Sequence, residues 1–69
     1  MSKELQILNE LMSTESGKKD LQAIINEMYL DQIDMLEDVQ RTLRRDYKIR
    51  VTLAEANGIL DLYLLNYAG

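Results

Sequence analysis

Residues 18–47 hold no glycine and no proline, and their apolar side chains recur at helical spacing. At 100° per residue, Leu21, Ile24, Ile25, Met28, Met35, Leu36, Val39, Leu43 and Tyr47 fall within an arc of roughly 140°. A run with this pattern is expected to be helical along most of its length. As one continuous helix of about 28 residues it would be about 42 Å long. A break near Asp31 or Asp34, either of which could serve as an N-cap, is the alternative. On the opposite side, Glu27, Asp31, Asp34, Asp38, Arg41, Arg45 and Lys48 are spaced alternately four and three apart. In an unbroken helix they form one straight polar stripe.

Two further helices flank this run. The first is expected over about residues 3–12, with Leu5, Leu8, Leu11 and Met12 on one face. Residues 13–17, Ser-Thr-Glu-Ser-Gly, then interrupt it, with Ser16 or Gly17 available to cap the next helix. The last is expected over about residues 53–67. It opens on Thr52-Leu53-Ala54-Glu55, the spacing of a capping box. Before it, Tyr47, Ile49 and Val51 alternate with charged residues, as in an extended connector.

The last helix is apolar on almost every side. Leu53, Ile59, Leu60, Leu62, Tyr63, Leu64, Leu65 and Tyr67 surround it, and its polar positions are Glu55, Asn57, Asp61 and Asn66. Such a helix needs cover from nearly all directions, more than two short neighbours supply. Leu30 and Ile33 also lie outside the main apolar arc. The expectation is therefore an all-α chain, one three-helix domain over residues 1–69 with a long central helix, associated as a homodimer.

Size and composition narrow the chemistry. A 69-residue chain buries only about 60% of the surface exposed when unfolded, so its core is marginal. There is no Cys for a disulfide and no His, the commonest metal ligand and neutral-pH general base. The Ser and Thr hydroxyls thus lack an activating partner. No catalytic, cofactor-binding or metal-binding residue is expected. With 46% apolar residues the composition suits a folded domain rather than disorder. The opening MSKELQILNELM interleaves charges with apolar residues, unlike a signal peptide. The longest uncharged stretch, residues 62–69, is far short of the roughly 20 residues needed to span a membrane. A soluble, cytoplasmic protein without a membrane partner is the expectation.

Charge is unevenly distributed in a chain whose net charge is −4. Residues 1–40 carry nine acids and three bases, residues 41–50 one acid and five bases, and residues 51–69 two acids and no base. The bases lie near a helix end, where they complement the macrodipole, and Glu37–Arg41 has favourable i,i+4 spacing. Nucleic acid is a poor fit, because Asp38 and Asp46 sit among the bases and the remaining chain repels phosphate. Self-complementarity fits better: two long helices packed antiparallel set acidic halves against basic halves. The expected dimer interface is Arg41, Arg44, Arg45, Ile59, Leu62, Tyr63 and Leu65.

The acids Glu27, Asp31, Asp34 and Asp38 do not make a calcium loop, which wraps six to eight oxygens around the ion. They could imitate DNA phosphates, although such mimics usually carry more net charge. The stretch TLAEANGIL has helix-turn-helix spacing, but residues 60–69 contain no base with which to read a groove. Gly58 is better read as a place where another helix comes close or α-helical geometry kinks.

These readings point to a non-catalytic protein–protein interaction module, a small regulator or inhibitor that docks on a larger host enzyme complex. The analogy is with short acidic helical inhibitors of the kind phages encode against host or defence enzymes. Its partner-binding residues would be Glu27, Tyr29, Leu30, Asp31, Ile33, Asp34 and Asp38. The alternative is a structural or adaptor subunit completed by a different polypeptide; a DNA mimic or DNA-binding regulator is a distant third.

Overall fold

Ser2, Thr14 and Thr52 each stand one residue before a helix, and each hydroxyl accepts a backbone N–H from the first turn: from Leu5, Gly17 and Glu55 respectively. These caps satisfy donors that a helix start otherwise leaves orphaned. They begin three of the four helices in the computed structural model of the chain, which describes residues 2–27 and 31–67. The helices are α1 (Lys3–Met12), α2 (Glu15–Ile25), α3 (Gln32–Tyr47) and α4 (Leu53–Asn66). Among the described residues there is no strand, and no helix is long and apolar enough to cross a membrane.

The count corrects the expected three helices to four, because the long central helix is two. Asn26 closes α2, with its N–H on the Gln22 carbonyl, and Asp31 in extended conformation opens α3 without a side-chain cap bond. The physical reason is burial. A rod of about 42 Å exceeds the 29 Å longest dimension of the folded chain, and helices as short as α1 and α4 could not cover its apolar stripe. Folded antiparallel, α2 and α3 cover each other. Ser16 and Asp20 near the start of α2 meet the Tyr47 hydroxyl at the end of α3, at 3.4 and 3.2 Å. Leu21 and Ile24 share a seam with Val39 and Leu43.

The cap of α2 also stands two or three residues earlier than the expected Ser16 or Gly17. Thr14 does the capping, and Gly17 sits inside the first turn. There its missing side chain matters, because a Cβ would run into the Leu11 carbonyl where α1 ends against α2.

Each helix contacts two others: α1 lies against α2 and α4, and α3 against α2 and α4. The ring closes around Ile7, Leu8, Leu11, Leu21, Ile24, Leu36, Val39, Leu43, Ala56, Ile59, Leu60 and Tyr63. On α1, Ile7 is buried and Leu5 only partly so, a rotation of the expected face. On α4 the buried stripe is Ala56, Ile59, Leu60 and Tyr63, the i, i+3, i+4, i+7 pattern of an ordinary surface helix. Tyr63 buries its ring and donates its hydroxyl to Gln22 Oε1 at 3.1 Å.

Helix α4 runs unbroken through Gly58, so there is no helix-turn-helix here. Gly58 instead admits α1: a Cβ would stand 3.0 Å from Glu4 Cγ. The neighbouring Lys3–Glu55 ion pair, at 3.1 Å, ties the two helix starts together.

Candidate interaction surfaces

A concave groove of about 340 Å³ runs along the C-terminal half of α3, lined by Glu37, Gln40, Arg41, Arg44, Arg50 and Val51. Its far wall is the connector between α3 and α4. That connector turns back because Lys48 adopts a left-handed conformation, φ 59°, while the N–H groups of Lys48 and Ile49 both donate to the Leu43 carbonyl. Non-glycine residues rarely take this conformation. The residues just after it hold it in place: Ile49 and Val51 pack against the core, and Gln40 Nε2 donates to the Val51 carbonyl at 2.9 Å. The extended connector expected from Tyr47 onward starts later than that, because Tyr47 is the last residue of α3 and Lys48 is left-handed; Ile49 and Val51 are partly buried, and Lys48 and Arg50 are exposed.

The bases of residues 41–50 have separate fates. Arg41 pairs with Asp38 one turn back, not with Glu37 as i,i+4 spacing had suggested. Arg45 binds its neighbour Asp46 through two nitrogens, at 2.9 and 3.2 Å. That hydrogen-bonded pair holds the Asp46 carboxyl below its usual range and raises the Arg45 guanidinium above its own. Arg44 and Arg50 have no ion pair among the described residues. Guanidiniums left free on a concave wall are suited to oxyanions, which they grip with paired N–H bonds.

The acidic stripe is interrupted. Asp34, Asp38, Arg41 and Arg45 remain on α3, whereas Glu27 follows the end of α2 and Lys48 follows the end of α3. Folding nevertheless brings Glu27 beside Asp38. A hydrogen bond from the protonated acid to Asp38, then desolvation, then repulsion by the Asp38 charge raise the Glu27 carboxyl above its usual range, while Arg41 draws it down. Glu27 Oε2 is buried with no hydrogen-bond partner. Asp31 and Asp34 are exposed. Tyr29 and Leu30 lie outside the described residues.

The apolar positions assigned to an interface also divide. Ile59 is 0% exposed and Tyr63 is buried, both inside the core of a single chain, so neither offers a surface to a second one. Leu62 is partly buried against that core, while Leu65 is 79% exposed. Leu64 and Tyr67 are exposed beside Leu65 at the end of α4, with the Tyr67 ring stacked on Tyr63 at 6.0 Å. Leu53 is exposed at the other end, and Ile33 on α3 is 62% exposed.

Sequence reasoning did not single out Gln40, Arg50 or Val51 as groove residues, nor Leu64 and Tyr67 as exposed. Arg50 could have been found from the alternating connector. The role of Gln40 has no local signal, since it depends on where the connector returns.

No protein-family model, curated protein or solved structure matches this chain.

Proposed function

We propose that the chain is a non-catalytic protein–protein interaction module, a small regulator or inhibitor that docks on a larger enzyme complex and works as a homodimer. The observation that carries this reading is the exposure of three large apolar side chains, Leu64, Leu65 and Tyr67, at the end of α4. A small domain with a marginal core gains by burying leucines. This one closes its core with other residues and leaves these outside. Exposed apolar surface marks places where a partner can dock, and Tyr is among the residues enriched at such interfaces. The docking surface is thus the α4 end, while the charged face of α3 serves the dimer.

The alternative, a subunit completed by a different polypeptide, predicts a chain that is unfolded alone. The closed ring of four helices weighs against it. The test is affinity capture from the native host's lysate with wild-type protein and with a Leu65→Ser/Tyr67→Ser variant whose helical content and melting are unchanged. An enzyme complex held by the wild type, released by the variant and slowed by added wild-type protein is the expected result. The reading fails if the variant captures and inhibits equally well, or if the isolated chain shows no cooperative unfolding.

A further inference from the structure

The arginine groove has its complement on the same helix. At 100° per residue, Ile33, Asp34, Glu37, Arg41 and Arg44 occupy an arc of about 100° on α3, and all five are exposed. The acids stand in its first half and the arginines in its second. Asp34, Glu37 and Arg44 have no ion pair among the described residues. Turned end for end, this face matches itself. Two copies of α3 laid antiparallel about an axis beside residue 39 bring Asp34 of each opposite Arg44 of the other, and Glu37 opposite Arg41.

We propose that the groove seats the first turn of α3 from a second copy of this chain, in that register. The inference rests on the homodimer reading and names its contact. Glu37 decides between occupants. It lines the groove together with Arg41, Arg44 and Arg50, so a polyphosphate entering there meets a carboxylate on the wall. A reversed α3 brings Arg41 to that carboxylate and Asp34 to the free Arg44. The concavity, with Arg50 and Val51 on its far side, receives the entering turn.

The test is sedimentation equilibrium on the full chain in four forms: wild type, Arg44→Asp, Asp34→Arg and the double exchange. Each single reversal sets like charges together twice in a two-fold dimer and should weaken it by ~100-fold, whereas the double exchange should recover to within about tenfold of wild type. Circular dichroism melts of all four forms at low concentration check that the monomers fold alike. If both single variants dimerise as the wild type does, this register is overturned and a dimer through another face remains. Single variants that dissociate without recovery in the double exchange also overturn it, because the arginines then meet acids elsewhere. A wild type that is monomeric at every concentration overturns the dimer itself and assigns the groove to a different molecule.

Discussion

Two glycines show how differently the same residue can be required. At Gly17 the obstacle is backbone: the Leu11 carbonyl occupies the place of a Cβ, and it cannot move without pulling α1 off α2. Gly17→Ala should therefore cost more than the about 1 kcal/mol that alanine gains as a helix former, lowering the melting temperature. At Gly58 the obstacle is the flexible Glu4 side chain. It can shift by a few tenths of an ångström, so Gly58→Ala should raise the melting temperature by several degrees, on the order of 4–8 °C for 1 kcal/mol. Thermal melts of the two variants should move in opposite directions. Glu27 offers a titration at the same scale. Its carboxyl is raised in the folded chain by the bond to Asp38, desolvation and the Asp38 charge. A carboxyl raised by folding favours the native state in acid, and that contribution is lost as pH rises through its folded value. Glu27→Gln should accordingly stabilise the protein at neutral pH and do so less and less as the pH is lowered. Urea midpoints measured across that range check the sign.

At the scale of elements, the ends of α1 and α4 were legible because their causes are local. Thr52 and Glu55 bond each other's backbone at 3.1 and 2.9 Å, and four consecutive residues contain everything needed for this. Thr52→Ala should cost about 1 kcal/mol, with the helical signal and the unfolding midpoint falling together. The break between α2 and α3 is the opposite case. Its apolar residues stay in phase across the gap, so periodicity reads the same for one rod or for two antiparallel helices. Only the choice of what each half packs against separates these outcomes, and that choice is made at long range. Asp31 was visible as a possible cap, yet it makes no cap bond, so its chemistry does not drive the break. The groove shows the same division: Arg41 and Arg44 were visible among the bases of residues 41–50, while its wall, with Arg50, depends on Lys48 reversing the chain and Gln40 holding Val51.

For the whole molecule, the sharpest contrast lies within α4, where nearly every position is apolar. Ile59→Ala opens a cavity at a site with 0% exposure and should cost about 2–5 kcal/mol. For a domain this small that is a large share of a total stability of about 3–10 kcal/mol. Leu65→Ala, at 79% exposure, should stay within about 0.5 kcal/mol. Chemical denaturation of the two variants at a concentration where the protein is monomeric tests whether the core closes within one chain. By itself the sequence determined that this protein is helical, where α1 and α4 begin, and that its bases are gathered in one segment. Each of these comes from interactions between residues a few positions apart. Tertiary structure alone decided that residues 18–47 make two helices, which stripe of α4 is buried, and which arginines remain free. Those outcomes depend on which surfaces exclude water from one another, and surfaces that meet in the fold lie far apart along the chain.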